Sequence, residues 1–296
     1  MKRADTWELD NQSLTIGSFA TQAMLYEVSC MPSPGLVSPV SNGAHKDMNY
    51  YTFLDSTSVL SRYMSVFAKV GNSSRGNKEI FDRIRDIGKE AEREMLLATG
   101  GINTHKGMLF LMGISCAAAG KAIFERKSFK DIRNIVKEMT KGIVKKELES
   151  LTEKDELSHG ERLYIKYQNQ GVRGEVESGI PIVFEFALPL YRQCTNLTKN
   201  DQLIHTLIGI ISVCNDTTII HRHNPQILSK VKKRADHIMK LGGMNSTCGR
   251  EDIDHMCNDF IEQNISPGGS ADLLAVTVFY DLLERYMSSL PTGKVL

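Results

Sequence analysis

The chain has 296 residues, enough for one large domain or two ordinary ones and ample for a buried core. Lys and Arg number 36 against 35 Asp and Glu, so no global basic field points to nucleic acid, and a polyanionic ligand must be held by local groups. Cys30, Cys116, Cys194, Cys214, Cys248 and Cys257 show no C-x-x-C spacing, which suits reduced thiols in a cytoplasm better than a disulfide framework or a zinc site. Met1–Asn11 is polar and lacks the apolar stretch of a signal peptide, so the expectation is a soluble cytoplasmic protein with no membrane and no nucleic-acid partner.

Helical periodicity dominates, and no run shows sustained strand alternation. Ser13–Cys30 carries Ile16, Phe19, Ala20 and Ala23 on one stripe, and Glu27 is the next residue on that face. Pro32-Ser-Pro-Gly35 stops this helix. A loop dense in turn residues and functional side chains follows through Asn49, containing His45, Lys46 and Asp47. Tyr51–Val70 reads as a second helix and Lys78–Ala98 as a third, with Ile80, Ile84, Ile87, Ala91 and then Glu94 along one face. Glu94 is thus a second carboxylate on an apolar stripe. An unpaired buried charge costs several kcal/mol, so two such acids suggest a shared cation or basic partner.

Thr99–Glu125 is the centre of the pattern. Met108–Phe124 is apolar nearly all round, with Lys121 its only charge, and a helix without a wet face belongs in the middle of a bundle. It is short and glycine-interrupted for a membrane span. Gly100 and Gly101 before it permit close backbone approach or positive φ, and Asn103 or Thr104 can cap it. His105 and Lys106 then stand at its N-terminus, where free N–H groups favour an anion.

Ser128–Ser150 is amphipathic, Thr152–Glu156 is a charged linker, and Ser158 with Glu161 forms a capping box. Gln170–Gly179 reads as a glycine-punctuated polar loop holding Arg173 and Glu175. Ile180–Tyr191 is apolar, with Pro189 kinking or ending it, and Asp201–Val213 is another buried helix running into Asp216 and Arg222. Pro225–Leu241 and Arg250–Gln263 are helical. Gly268 and Gly269 then lead into Ala271–Ser288, with Ser270 as its N-cap and Asp272 in its first turn. The fold class is therefore all-α, a single multi-helix domain over residues 1–296 with about ten helices around a buried central one and its polar loops gathered at one end.

Lysines, arginines and glycine-rich backbone can hold phosphates, and carboxylates can hold Mg²⁺ or act as acid and base. There is no P-loop and no strand-borne G-x-G-x-x-G. His45-x-Asp47 alone also suits metal ligation in a phosphohydrolase, and these residues do not separate the two.

Five stretches carry a resemblance: P-G-L-V-S-P-V-S-N-G-A-H-K-D-M (34–48), A-E-R-E-M-L-L-A-T-G-G-I-N-T-H-K-G (91–107), G-V-R-G-E-V-E-S-G-I-P (171–181), D-T-T-I-I-H-R (216–222) and S-P-G-G-S-A-D-L-L-A (266–275). In this order, over nearly the whole chain, they resemble the triphosphoribosyl-dephospho-CoA synthase (CitG) family. The chain departs from that family's pattern at Ser33, Thr218 and His223-Asn224. The resemblance implies transfer of the 5-triphosphoribosyl group of ATP to the 2′-hydroxyl of 3′-dephospho-CoA with release of adenine. It makes Mg²⁺ the expected cofactor, and ATP and 3′-dephospho-CoA the small-molecule substrates. The product would pass to a transferase that modifies the acyl carrier protein of citrate lyase or malonate decarboxylase.

On that reading Lys46, Lys106, Arg173 and Arg222 face phosphates, joined by Gly100, Gly101, Asn103, Thr104, Gly268, Gly269 and Ser270. Glu175 and Asp216 bind substrate or brace arginines. Asp47, Glu94 and Asp272 are the Mg²⁺ or catalytic carboxylates, Glu27 is a further metal candidate, and His45 and His105 are acid/base or phosphate contacts. A Mg²⁺-dependent nucleotide or phosphoribosyl hydrolase and a non-catalytic coenzyme-binding chaperone stay open as alternatives, and assembly stays open between a monomer and a homodimer.

Overall fold

The computed structural model describes residues 8–151 and 157–290; the charged linker Thr152–Glu156 lies outside them. Among the described residues there are thirteen α-helices and no strand, with a single isolated bridge between Ser38 and Ser41.

Helix α4 (Lys106–Phe124) is the axis, as its composition requires. Every residue from Met108 to Ala122 except Phe110 is buried. By length and composition this helix could cross a bilayer, yet 78% of its most apolar window is enclosed by other helices. The charge in its last turn is satisfied where it lies: Lys121 Nζ donates to the carbonyls of Ser73 (3.2 Å) and Arg75 (2.8 Å) and pairs with Glu125 at 3.0 Å.

Around α4 pack α1 (Asn11–Ser29), α2 (Tyr50–Gly71), α3 (Asn77–Ala98), α5 (Ile132–Thr140) and α13 (Gly268–Ser289). The α2–α4 contact is a backbone contact. A Cβ on Gly71 would lie 1.9 Å from the Ala117 carbonyl oxygen, and one on Gly120 would lie 2.1 Å from that of Ala68. Helices normally pack with axes about 8–10 Å apart, a spacing set by side chains at the contact; here glycine removes them. A second layer is built on α9 (Lys199–Val213), which lies against α8 (Leu188–Gln193), α11 (Pro225–Lys240) and α13, with α12 (Thr247–Glu262) beyond α11. Three short helices, α6 (His159–Tyr167), α7 (Gly171–Glu177) and α10 (Thr217–Arg222), complete the end where the polar motifs meet.

Several expected boundaries move, each for a local reason. The amphipathic stretch from Ser128 is not one helix: α5 ends at Thr140, Gly142 takes φ +79°, and a π-turn covers Lys145–Glu149. Gln170–Gly179 is largely helical as α7 rather than a loop: Gly174 takes up the helical conformation inside it, and the two glycines of positive φ, Gly171 (+53°) and Gly179 (+77°), turn the chain at its ends. Pro189 does not end its segment, which runs on through α8 to Gln193. It has no N–H for the Glu185 carbonyl, and the backbone widens into a π-turn over Ile182–Ala187 before α8 resumes. Helix α13 begins at Gly268, so Ser270 lies inside its first turn and is not the N-cap.

The reciprocal glycine contact makes a specific expectation. Gly120→Ala should destabilise the protein by at least about 2 kcal/mol in urea unfolding, since a backbone carbonyl cannot yield to the new methyl. Gly88→Ala, in α3 with nothing within 4 Å of the added carbon, should stabilise it by about 0.5–1 kcal/mol. Equal effects would show that α2 and α4 do not touch.

Candidate active site

One cavity of about 1480 Å³ opens among α1, α3, α4, α6, α7, α10 and α13. Single-ligand pockets usually hold about 300–1000 Å³, so this one has room for two nucleotide-sized molecules.

Its acids come from the inner helices. Glu27 is buried on α1, and its carboxyl has no hydrogen-bond partner among the described residues; burial raises its pKa to about 8. Asp272, near the start of α13, is pushed well up from the ordinary carboxylate range by burial and by the neighbouring Glu27 and Asp216. Asp272 can lie against the start of α4 because residue 107 is glycine: a Cβ there would be 2.2 Å from the Asp272 Oδ2. Asp216 is different. Its Oδ1 accepts the N–H groups of Thr218 (2.9 Å) and Ile219 (3.3 Å), and its Oδ2 accepts the N–H (2.8 Å) and hydroxyl (2.9 Å) of Ser270. One carboxylate thus ties the N-termini of α10 and α13 together, and Gly268 and Gly269 let those ends approach. Asp216 and Ser270 are the joint of the cavity floor.

Cations come from four helices, one of them α4 beside Asp272. Arg85 and Lys89 on α3, Lys106 on α4, Arg162 on α6 and Arg173 on α7 all line the cavity. Glu147, behind the wall, receives Arg85 Nη2 at 3.0 Å and Arg173 Nε at 2.8 Å, which aims two guanidinium groups from different helices. Lys106 pairs with Glu92 at 2.6 Å. Glu175 also lines the cavity, with its Oε1 accepting the Ile182 N–H at 2.9 Å and its pKa raised by burial.

Four histidines line the cavity, and two of them, His45 and His105, are held neutral. Arg222 donates to the Ala44 carbonyl (2.9 Å), to Asn264 Oδ1 (3.1 Å) and to Nδ1 of His45 (3.1 Å). Arginine cannot accept, so His45 Nδ1 is the acceptor and its Nε2–H donates to Ser266 Oγ at 2.9 Å. Burial and Arg222 lower the His45 pKa to about 4, against the weaker pull of exposed Asp47. Arg222 and His45 therefore bind the two loops to each other. His105 is buried, with its pKa lowered by burial to about 3, and its Nδ1 lies 2.6 Å from Ser56 Oγ. Asn103 Oδ1 caps α4 by accepting the Lys106 N–H at 3.1 Å, and Thr104 donates to Ser56 at 2.8 Å.

Five expected site residues do not line the cavity, one of them Ser270, whose N–H and hydroxyl are spent on Asp216. Glu94 pairs with Arg62 outside the cavity, because the core stripe of α3 runs Ile80, Ile84, Ala91, Met95 and leaves Glu94 on its margin. Glu92, two residues earlier, is the acid of this helix that reaches the cavity. Gly100 and Gly101 end α3 in a left-handed turn, with the Gly101 N–H on the Leu96 carbonyl, and do not line the cavity. Lys46 is exposed and does not line it. Conversely, Arg85, Lys89 and Glu92 escape a reading of motifs, although their spacing puts them on one helical face. So do His159 and His221, whose rings stack 3.8 Å apart at the rim. Of the departures from the family pattern, Ser33 is buried with its hydroxyl unpaired and Thr218 lies under Gly268. His223 Nε2 reaches the Asn264 carbonyl at 3.0 Å.

Among the described residues no three His, Cys, Asp or Glu side chains gather closely enough to hold a metal unaided. The Glu27–Asp272 pair nonetheless suits a hard dication that takes its remaining ligands from phosphate and water, as Mg²⁺ does.

A family model described as CitG, ATP:dephospho-CoA triphosphoribosyl transferase, matches residues 13–290. A probable 2-(5''-triphosphoribosyl)-3'-dephosphocoenzyme-A synthase of Malonomonas rubra is 38% identical over 95% of this chain and 91% of its own. A protein of the same name from Lactiplantibacillus plantarum is 38% identical over 90% of this chain and 96% of its own. Protein CitXG of Leuconostoc mesenteroides subsp. cremoris is 39% identical over 92% of this chain and 59% of its own. No solved structure matches the chain.

The geometry separates floor from margin. Asp216→Ala should cost at least about 2 kcal/mol in denaturant unfolding, because it strands buried N–H donors at two helix ends. Glu94→Ala should leave turnover within about twofold of the parent, as a substitution at a surface pair does.

Proposed function

Because this chain belongs to the ATP:dephospho-CoA triphosphoribosyl transferase family, we propose that it joins ATP and 3′-dephospho-CoA in the cavity, with Glu27 and Asp272 as the carboxyls of the reacting centre. The enzyme is a transferase, a triphosphoribosyl-dephospho-CoA synthase. The bond between ribose C1 and the adenine nitrogen of ATP breaks, adenine leaves with the electron pair, and the 2′-hydroxyl oxygen of the acceptor forms the new bond as it loses its proton. The triphosphate survives, so its role is binding.

The observation that carries the residue assignment is that two buried, unpartnered carboxyls share one cavity with the cations of α3, α6 and α7. Arg85 and Arg173, held by Glu147, and Lys89 and Arg162 supply positive charge for phosphates. Mg²⁺ bound by Glu27 and Asp272 would neutralise phosphate charge and draw both carboxyls into their ionised forms. A carboxylate there also opposes the positive charge that develops at C1 as the base departs. His45 and His105, neutral and poor bases, are left as orienting donors. We assign the enzyme to the cytoplasm, where its thiols stay reduced, and its product to a second transferase that loads an acyl carrier protein of citrate lyase or malonate decarboxylase.

Mass spectrometry of the protein with ATP, 3′-dephospho-CoA and Mg²⁺ tests the whole reading: free adenine and the matching conjugate are expected, and phosphate release without adenine would overturn it. Asp272→Asn should lower kcat by about a hundredfold or more while the protein stays folded.

The carboxyl pair also makes a pH-dependent expectation. An acid whose folded pKa is raised stabilises the fold below its unfolded value, and that contribution is lost as the pH climbs through the folded value. For Glu27 the window runs from 4.5 to about 8. Without divalent cation, the Tm should fall between about pH 5 and pH 8, and Glu27→Gln should flatten the fall. Mg²⁺ should raise the Tm more at the alkaline end, where both carboxyls are free to ionise; an equal rise at all pH values would remove the pair as a metal site.

A further inference from the structure

Ser56 belongs to none of the motifs. It is fully buried on α2, and its hydroxyl is the middle of a three-member chain. Thr104 Oγ1 donates to Ser56 Oγ at 2.8 Å, and Ser56 Oγ lies 2.6 Å from His105 Nδ1. A hydroxyl has one proton. Were Nδ1 of His105 protonated, it and Thr104 would both donate to Ser56, leaving the Ser56 proton buried with no acceptor. With Nδ1 unprotonated, Ser56 donates to it and every proton of the chain is used. Burial of the ring disfavours the doubly protonated form. Phe53 packs edge-on against the imidazole, ring centres 5.0 Å apart and planes at 82°, which holds its orientation. The remaining nitrogen, Nε2, then carries the hydrogen. It is buried and has no partner in the protein, on a residue that lines the cavity.

We propose that Ser56 is a positioning residue that locks His105 as the Nε2–H tautomer, so that His105 offers the bound nucleotides an uncharged N–H donor and does not act as a base. This deepens the transferase reading and rests on it for the identity of the ligand. The donor would meet a lone-pair acceptor of ATP or dephospho-CoA, a ring nitrogen or an oxygen, in a site where a fixed dipole needs no rearrangement during the reaction.

The tautomer is readable without substrate. In protein labelled with ¹⁵N-histidine, the His105 signals, identified by their loss in His105→Gln, should show a protonated Nε2 and a pyridine-like Nδ1 from about pH 6 to pH 9. Ser56→Ala should give a mixture of tautomers and lower kcat about tenfold or more, with both KM values within about twofold. Ser56→Thr, which keeps the hydroxyl, should restore the parent spectrum. A protonated Nδ1 in the parent protein overturns the proposal, as does Ser56→Ala with parental spectrum and kcat. If Ser56→Ala fails to fold, the parent spectrum alone decides the tautomer. If the parent releases no adenine, the transferase reading fails, while the spectrum still decides the Ser56–His105 contact.

Discussion

The close crossing of α2 and α4 is the constraint on which the site depends. Gly71 and Gly120 let two backbones touch where side chains would hold them apart. Because the two helices run in the same direction, this contact near their C-terminal ends fixes what meets at their N-terminal ends, and Ser56 arrives beside His105 at the mouth of α4. The same end of α4 receives Asp272 against Gly107. A buried, nearly uncharged helix thus locates a polar site at its N-terminus without contributing polar residues from its own interior.

Charge in the cavity is arranged by origin. The unpaired acids stand on α1 and α13, which are core helices, and burial raises the pKa of both. Most of the cations stand on α3, α6 and α7, where they are partly exposed, and Glu147 restrains two of them. Asp216 and Arg222 look like ligand groups by type, yet both are committed to the protein: one joins two helix ends, the other joins two loops. Their work is to keep the floor and rim in register with the wall that carries the arginines.

Glu27 and Glu94 show what periodicity can and cannot settle. Each falls on a stripe read from its neighbours. On α1 the stripe includes Met24 and Val28, so Glu27 is flanked by core residues and stays inside. On α3 the stripe shifts to Met95, and a rotation of one position carries Glu94 to Arg62 at the surface. Arg85, Lys89 and Glu92 fail in the opposite sense. A polar helical face is indistinguishable from a solvated one until another wall is placed across from it.

The sequence by itself determined the all-helical class, the central place of α4, the carboxyl on α1 and the family, because apolar periodicity, composition and long motifs are local properties of the chain. Tertiary structure alone decided which polar groups share a cavity, which of them spend their hydrogen bonds on the protein, and which tautomer His105 adopts. Those are matters of distance between segments far apart in the chain. A side chain's chemistry is set by the groups that desolvate it and bond to it, and helix crossings bring those groups together.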